Sequence, residues 1–424
     1  MKDEVIGRVT DSSAPSFLSF IFPPASFPRV PLAVPYWTSE TYRTIFHSLI
    51  SGCVVDGPRV GALRAEIVEK LGVADALLCG SGSLALELAL RACGVLVGDE
   101  VVIPTFCCSA VVGPIVAVGA VPVLADVGAE LNLTVETVSL VLTRKTKAII
   151  VPHLFGNPAE IGKIVELAGK KNIRVIDDAA QALGAAIDGK AVGSFGDAGI
   201  LSFGAEKVCF GLGGGAVVTQ RRGFLDNHPG LNLTLPRVVP TLRNCWLTLF
   251  WRRWRGWTLP IYKLIHCSDG RDPEAPPSSY RQERLANLNA AVALSLVESL
   301  QENIEARRAR VQAYRELLGD QERLELLRHR PGSACLTQVV RVTNNRSTED
   351  LASTVIEALR NAGYEIQGSY VPVHRLAHGS ICVWDDLSYA DKVWPDLIEL
   401  PCEPEVRLVQ VEQIAGIVKA VITS

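Results

Sequence analysis

The chain has 424 residues, of which 48% are hydrophobic and 21% charged, a composition typical of a globular protein with a large core. Its formal net charge is only −3, so no strong overall field attracts or repels nucleic acid. The 11 cysteines include no C-x-x-C pair, which argues against a metal site or a disulfide framework and favours reduced thiols in the cytoplasm.

The first segment, residues 1–36, is rich in proline and serine and is predicted to be an extended arm. Its first apolar run, residues 17–22, ends at a Pro-Pro pair. That run is too short for a secretion signal or a membrane span, so we expect a cytoplasmic protein.

Short apolar runs alternate with helical patterns through the first half of the chain. Helices are predicted over 58–71, 84–93, 109–118 and 158–171, and strands over 76–79, 100–104, 121–126, 146–152, 173–176 and 198–203. This alternation predicts an α/β fold with a mainly parallel sheet and helical crossovers. Ligands bind such sheets at the carboxyl ends of the strands.

Small residues precede the second of these helices, in the run Gly80-Ser81-Gly82-Ser83. The first N–H groups of a helix have no intrahelical acceptor and lie at its positive end, and Gly82 and Ser83 would let an anion approach closely. A phosphate site is one interpretation of this pattern. An ordinary serine N-cap is the other.

Two adjacent acids, Asp177 and Asp178, follow the strand that ends at Ile176. Successive strand side chains point to opposite faces, so we expect only one of the two to face a ligand. If that ligand contains a ring nitrogen, the neighbouring carboxylate would keep the nitrogen protonated. The other acid would belong to a turn or a helix cap.

Lys207 lies between Ser202 and a glycine run, residues 211–215. Most lysines are solvated surface groups. The flanking residues Phe203, Val208, Cys209 and Phe210 are expected to surround this one with apolar surface. Burial favours the neutral amine, which is the nucleophile that forms Schiff bases.

In this order and spacing, these motifs resemble one known family. They are Gly82-Ser83 at a helix start, Val101-Val102-Ile103-Pro104, Pro152-His153-Leu154-Phe155-Gly156, Ile176-Asp177-Asp178-Ala179-Ala180-Gln181, and Ser202 followed by Lys207 and the glycines. The family is DegT/DnrJ/StrS, the pyridoxal 5'-phosphate (PLP)-dependent sugar aminotransferases of the aspartate aminotransferase fold, fold type I.

The resemblance implies a role for each matching residue. Lys207 would carry PLP as a Schiff base and Asp178 would pair with the pyridine nitrogen. Gln181 would lie near the ring hydroxyl. The phosphate would be held by Gly82, Ser83 and Ser202.

The resemblance also implies a homodimer with shared active sites. Gln282, in Gln282-Glu283-Arg284, stands where the family has an asparagine that reaches the neighbouring subunit's phosphate. Cys108, or Phe106 if the register shifts, stands where an aromatic residue usually stacks on the ring. Val208 replaces an asparagine that usually follows the lysine.

Arg284 and His374 are the candidate substrate contacts. His374 and His153 are equally compatible with a structural role as buried, hydrogen-bonded histidines.

The implied reaction moves an amino group, typically from L-glutamate, to a keto sugar carried on a nucleotide. Three alternatives stay open. They are a noncatalytic PLP-binding regulator, a membrane-associated scaffold, and another PLP reaction such as elimination, because the fold does not fix the chemistry.

Two domains are predicted after the arm. Residues 37–295 would form the large PLP-binding domain and residues 296–424 a smaller α+β domain. In the second half of the chain we expect helices over 285–318, 349–362 and 410–422 and strands over 335–343 and 369–373.

The large domain is predicted to contain an aromatic and basic insertion, residues 223–277. Within it, residues 244–257 place Trp246, Phe250, Trp254 and Trp257 at helical spacing among arginines. Such a helix can lie on the inner face of a membrane, cover a dimer contact or roof the active site.

Overall fold

The computed structural model describes residues 36–225, 233–249, 280–343 and 350–423. Within these residues the α-helices are α1 (Ser39–Ile50), α2 (Arg59–Leu71), α3 (Gly82–Ala92), α4 (Val112–Ala117), α5 (Val135–Val141), α6 (Ile161–Lys170), α7 (Val238–Leu247), α8 (Asn287–Glu298), α9 (Leu300–Leu318), α10 (Leu351–Asn361), α11 (Ser388–Val393) and α12 (Leu408–Thr423). The strands are β1 (Asp75–Cys79), β2 (Glu100–Pro104), β3 (Val121–Ala125), β4 (Thr146–Pro152), β5 (Arg174–Asp178), β6 (Ala186–Ile187), β7 (Lys190–Ala191), β8 (Ala198–Ser202), β9 (Gly215–Thr219), β10 (Leu324–Leu326), β11 (Thr337–Val342), β12 (Gln367–Gly368) and β13 (Leu397–Pro401).

The larger sheet has seven strands in the order β1-β9-β8-β5-β4-β2-β3. Strand β9 runs antiparallel to both of its neighbours, and the other neighbouring strands are parallel. Strands β1, β2, β4, β5 and β8 therefore end at the same edge of the sheet. The mainly parallel sheet predicted from the sequence is confirmed.

Side-chain alternation packs this sheet on both faces. Ile150 and Ile176 point to one face, where they join a core with residues of α3 and α4. Ile149 and Val175 point to the opposite face and pack with α5 and α6. Because strand neighbours alternate, Asp178 shares the α3 face with Ile176, and Asp177 lies on the α6 face.

A second, four-stranded antiparallel sheet has the order β10-β11-β13-β12. Helices α9, α10 and α12 pack on it around their own apolar core. The chain of this smaller unit also returns to the large sheet, where Leu124 N–H donates to the Val383 carbonyl at 2.8 Å. Asp126 then accepts hydrogen bonds from the backbone N–H groups of Tyr389 and Ala390 at the start of α11.

Two predicted elements are wrong. Residues 369–373 are not a strand, because Pro372 has no N–H to donate and Val373 N–H bonds instead to the Thr105 carbonyl at 2.7 Å. The single helix over 285–318 is two helices, α8 and α9. They meet at Ser299, whose hydroxyl bonds back to the carbonyls of Ser295 and Leu296.

Two other predictions fall largely outside the described residues. The arm, residues 1–36, is described only from Tyr36 onward. The aromatic helix over 244–257 is described only as far as residue 249, where α7 contains Trp246.

Candidate active site

A cavity of about 270 Å³ lies at the edge where the parallel strands end. Among its lining residues are the ends of several strands and the segments that follow them. They include Gly82, Ser83, Cys108, Pro152, His153, Asp178, Gln181, Ser202, Lys207, Gly213 and Gly214. The structure thus brings seven of the sequence-predicted site residues to one cavity.

The start of helix α3 forms one wall of this cavity. Ser81 is the N-cap residue, since its hydroxyl oxygen accepts from Leu84 N–H at 3.1 Å. The N–H groups of Gly82 and Ser83 precede the first intrahelical hydrogen bond, from Ala85 N–H to the Ser81 carbonyl. The serine cap and the N–H groups that could bind an anion are therefore successive parts of one structure.

Glycine permits the close packing of this wall. A Cβ atom on Gly82 would lie 2.8 Å from the Ser202 hydroxyl oxygen, which is shorter than a normal contact. Gly213 and Gly214 have φ of 99° and 121°, which residues with a side chain rarely adopt. The α3 start, the Ser202 hydroxyl and this glycine turn together make a small polar recess.

The two adjacent acids have different surroundings. Asp177 is fully buried, its Oδ1 lies 2.7 Å from His153 Nε2, and its Oδ2 accepts from Phe195 N–H at 2.9 Å. Asp178 lines the cavity, and its Oδ1 accepts from Ala180 N–H at 3.0 Å. Burial raises the pKa of the Asp178 carboxyl, while the Ala180 N–H and the positive charge of Lys207 oppose that shift.

Lys207 lies on the segment between β8 and β9 and is half-buried. Its flanking residues Phe203, Val208 and Cys209 are buried in the core beneath it. The amine is therefore supported by apolar packing while its side chain lines the cavity.

Gln181 has both ends of its amide engaged. Its Oε1 accepts from Phe155 N–H at 2.9 Å, and its Nε2 donates to the Tyr370 hydroxyl at 3.1 Å. Tyr370 comes from the smaller unit and was not among the sequence-predicted residues. An aromatic residue before Val-Pro carries no sequence signal of such a contact.

Cys108, and not Phe106, lines the cavity. Phe106 is fully buried and packs on Phe155 and Tyr370, with ring centroids 6.2 Å apart in each case. Phe106 is therefore not part of this cavity wall, and the residue that stacks on the ring stays a prediction. A thiol stands at this wall instead of an aromatic ring.

A primary amine, a buried carboxylate and a recess of N–H and hydroxyl donors thus share one cavity. Such a set can bind a molecule with an aldehyde, a cationic ring nitrogen and a phosphate.

The family model of the DegT/DnrJ/EryC1/StrS aminotransferase family matches residues 36–227 and 279–419. The chain belongs to this family. The match is interrupted over residues 228–278, which overlap the predicted insertion, residues 223–277.

Named relatives and solved structures agree with this assignment. A UDP-N-acetyl-3-dehydro-alpha-D-glucosamine 3-aminotransferase from Acidithiobacillus ferrooxidans is 47% identical over 160 residues, or 37% of this chain and 43% of that protein. The matched segment therefore spans less than half of that relative's length.

Two solved structures share the fold. One is Helicobacter pylori PseC, an aminotransferase involved in the biosynthesis of pseudaminic acid, with a TM-score of 0.75 and 20% identity over 93% of this chain and 99% of that chain. The other is E. coli GDP-4-keto-6-deoxy-D-mannose-3-dehydratase with bound hydrated PLP, with a TM-score of 0.74 and 18% identity over 92% of this chain and 100% of that chain. The predicted fold type I is confirmed.

Gln282, Arg284 and His374 are not among the residues that line the cavity of this DegT/DnrJ/EryC1/StrS chain. Gln282 Nε2 donates to Glu87 Oε2 at 2.8 Å, and Tyr280 OH donates to the same oxygen at 2.7 Å. Arg284 is exposed, and its backbone N–H donates to the Thr234 carbonyl at 2.9 Å. A contact of Gln282 with a partner's phosphate stays a prediction.

His374 and His153 have both ring nitrogens engaged. His374 bonds through Nδ1 to the Thr105 hydroxyl at 2.7 Å and through Nε2 to Asp391 at 2.9 Å. His153 Nδ1 accepts from Ala159 N–H at 2.9 Å, so its proton lies on Nε2 and is donated to Asp177. For both residues the hydrogen bonding is that of a structural histidine, and a substrate contact by His374 stays a prediction.

Within the described parts of the chain, no helix combines the length and apolarity needed to cross a membrane. The same residues contain no cluster of three or more His, Cys, Asp or Glu side chains in a metal-binding arrangement.

Proposed function

We propose that this chain is a PLP-dependent aminotransferase that transfers an amino group to a nucleotide-linked keto sugar. One observation carries the proposal. Lys207, Asp178 and the polar recess of Gly82, Ser83 and Ser202 line the same cavity at the carboxyl edge of the sheet.

The residues of this cavity fit PLP by their chemistry. The recess offers backbone N–H and hydroxyl donors at the positive end of α3, which suits a phosphate. The Asp178 carboxylate suits a protonated pyridine nitrogen, since each charge stabilises the other in a buried site. The Lys207 amine is the group that can bind an aldehyde covalently.

PLP, when bound, supplies an electron sink for the carbon that loses its proton. The chain supplies the rest of the chemistry. Lys207 would hold the cofactor through its amine, and the free amine would be the base that moves a proton from the donor's α-carbon. Asp178 would hold the ring nitrogen in its protonated form, because a nearby carboxylate favours the charged form of the nitrogen.

The amino acceptor is proposed from the named relatives. The Acidithiobacillus ferrooxidans aminotransferase is named for a UDP-linked sugar, and the E. coli dehydratase for a GDP-linked sugar. Both names contain a keto or dehydro sugar on a nucleoside diphosphate. L-glutamate is proposed as the donor, as the resemblance of the sequence implies.

Elimination is the second candidate, because a dehydratase shares the fold. Lys207 favours transamination, since the related dehydratases carry histidine at this position, as the resemblance implies. A primary amine can both hold the cofactor and shuttle a proton, whereas a histidine cannot form the covalent link.

The test is a two-part assay of the PLP-loaded protein. L-glutamate alone should change the visible absorbance of the bound cofactor and release one 2-oxoglutarate per site. Addition of UDP- or GDP-linked keto sugars should then yield an aminated sugar, identified by mass spectrometry. Loss of water from the sugar without amine incorporation would establish elimination instead. Absence of cofactor absorbance would favour the membrane-associated scaffold.

A homodimer with shared sites is proposed on the same basis. Gln282 lies beside Glu87 on α3, the helix whose start forms the phosphate recess. The segment that carries Gln282 is thus anchored close to the site. Sedimentation should give a dimer, and mixing Lys207→Ala subunits with Gln282→Ala subunits tests whether a hybrid regains activity that each variant lacks.

The aromatic and basic segment is proposed to touch the inner face of a membrane. From residue 227 to residue 268 the sequence contains no aspartate or glutamate. On α7, Val239 is 75% and Val238 46% exposed. Apolar side chains beside arginines suit an anionic lipid surface.

Flotation with vesicles tests this contact. Anionic vesicles should carry the protein upward, neutral vesicles should not, and Trp246→Ser with Trp254→Ser should abolish the binding. If the double variant instead becomes monomeric, the segment covers a dimer contact.

A further inference from the structure

Tyr370 reaches the active-site region from the smaller unit, two residues after β12. Its hydroxyl accepts the hydrogen bond from Gln181 Nε2 at 3.1 Å, and Gln181 is only 6% exposed. Two side chains from different units of the fold therefore meet directly behind the cavity wall.

The hydrogen bonds determine which way the Gln181 amide faces. Phe155 N–H can only donate, so the atom 2.9 Å from it must be the amide oxygen. The amide nitrogen therefore faces Tyr370, which takes one of its two N–H groups. One hydrogen bond would let the amide pivot about it, whereas two define its plane.

The phenol itself is held in place by packing. The Tyr370 ring lies 6.2 Å from the Phe106 ring and 6.1 Å from the Phe155 ring, measured between centroids. Burial raises the pKa of Tyr370 well above its ordinary value, so the hydroxyl stays neutral. A neutral, fixed hydroxyl is a permanent acceptor for the Gln181 amide.

Tyr370 does not itself line the 270 Å³ cavity. It lines a separate cavity of about 80 Å³ behind Gln181, whose other lining residues include Glu206, Glu365, Glu399 and Glu403. Gln181 lines both spaces. Gln181 is therefore the hydrogen-bonded link between the Tyr370 hydroxyl and an occupant of the larger cavity.

We propose that Tyr370 is a positioning residue, which fixes the plane of the Gln181 amide so that Gln181 presents an N–H donor, and not its oxygen, to the bound cofactor. This inference rests on the proposed function, because it assumes PLP in the cavity. It adds a residue from the smaller unit that acts on the cofactor without touching it.

The variant that isolates this role is Tyr370→Phe. The ring contacts with Phe106 and Phe155 remain and only the hydroxyl is lost. We expect the dissociation constant for PLP to rise about fivefold, the change that corresponds to one typical hydrogen bond. The visible circular dichroism band of the bound cofactor should also change, because the amide beside it gains freedom.

A double-mutant cycle then tests the route. In a Gln181→Ala background, Tyr370→Phe should change neither the dissociation constant nor the dichroism band further. The matched control is Tyr364→Phe. Tyr364 also has a hydroxyl that bonds to a glutamine, Gln413, but it is fully buried in the core of the smaller unit, whereas Tyr370 is partly buried. Tyr364→Phe should leave both quantities unchanged.

Each outcome is decisive. Equal effects of Tyr370→Phe in both backgrounds, or no effect in the wild type, would overturn the positioning role while leaving the proposed function intact. A wild-type chain that binds no PLP would overturn the proposed function, and this inference with it. If Tyr364→Phe causes the same changes, they reflect the general loss of a tyrosine hydroxyl, and the positioning role of Tyr370 is overturned.

Discussion

The two faces of strand β5 carry the same functional group in opposite surroundings. On the α6 face, Asp177 is enclosed by His153 and the Phe195 N–H, and neither Asp177 nor His153 is exposed. On the α3 face, Asp178 has the Ala180 N–H and opens to a cavity that also holds Lys207.

The difference indicates that Asp177 serves the fold, whereas Asp178 is available to a ligand in the cavity. A fully buried carboxylate whose two oxygens each have a hydrogen-bond partner inside the protein is already stabilised and out of a ligand's reach. A buried carboxylate with a raised pKa is a cost to the fold that a cationic ligand can remove. Substitutions on the two faces should therefore alter different quantities.

The largest expected effect is that of Lys207→Ala. This change removes the amine that we propose binds the cofactor covalently and moves the proton, so turnover should fall by at least about 10⁴-fold. The unfolding midpoint of the cofactor-free protein should be nearly unchanged, since Lys207 is half-buried. A variant that keeps even about a tenth of the wild-type turnover would contradict its role.

Asp178→Asn should reduce turnover by about 10² to 10³-fold, because a neutral amide does not hold the ring nitrogen protonated. Steady-state rates with L-glutamate and a keto-sugar acceptor measure this loss. Asp177→Asn is the matched control on the opposite face. If the two variants lose turnover equally, the contrast between the faces is wrong.

Asp178→Asn should also change how the free energy of unfolding depends on pH. Because burial raises the pKa of Asp178, the folded cofactor-free chain holds this proton more tightly than the unfolded chain does. The free energy of unfolding therefore falls as the pH rises from the ordinary carboxyl pKa through the raised pKa of Asp178. Above the raised pKa the lost stability is not regained. Asp178→Asn should flatten this fall in urea titrations, and an unaltered slope would contradict the assignment.

Asp177→Asn should act mainly on folding. The amide can still accept from one donor, but its NH₂ group then faces a second donor, either His153 Nε2–H or the Phe195 N–H. We expect a loss of about 2 to 3 kcal/mol in the free energy of unfolding, measured by urea titration. Turnover per folded molecule should stay within about threefold of the wild type.

Gly82→Ala should give the smallest of these effects. Its Cβ would displace the Ser202 hydroxyl from the proposed phosphate recess, and PLP affinity should fall about tenfold by equilibrium titration. Gly61→Ala is the matched control on α2, where an added Cβ meets nothing within 4 Å. It should raise stability by about 0.5 to 1 kcal/mol and leave PLP affinity unchanged. If Gly82→Ala and Gly61→Ala lose PLP affinity equally, the proposed role of the recess is wrong.

Much of the large sheet could be predicted because its strands are short, apolar and separated by helical patterns. Glu100–Pro104 and Thr146–Pro152 have the bounds predicted from the sequence. Among the residues that line the cavity, Gly82, Ser83, Asp178 and Lys207 could be singled out from residue patterns at a helix start and beyond strand ends. The roles of Cys108, Gln181 and Ser202 came only from the resemblance to the family.

Contacts between distant segments could not be predicted in this way. Strand β9 begins in the glycine run and pairs antiparallel with β1, far from it in sequence. Tyr370 meets Gln181 across 189 residues, and its sequence neighbours give no periodic pattern that would reveal this. The break at Ser299 depends on one hydroxyl bonding back to its own helix.

The most direct test of the account is borohydride reduction of the PLP-loaded protein followed by peptide mapping. The cofactor should be recovered as a stable adduct on the peptide that contains Lys207, and Lys207→Ala protein should yield none. An adduct on a different lysine, or PLP that washes away from the reduced wild-type protein, would contradict the claim that this cavity binds its cofactor through Lys207.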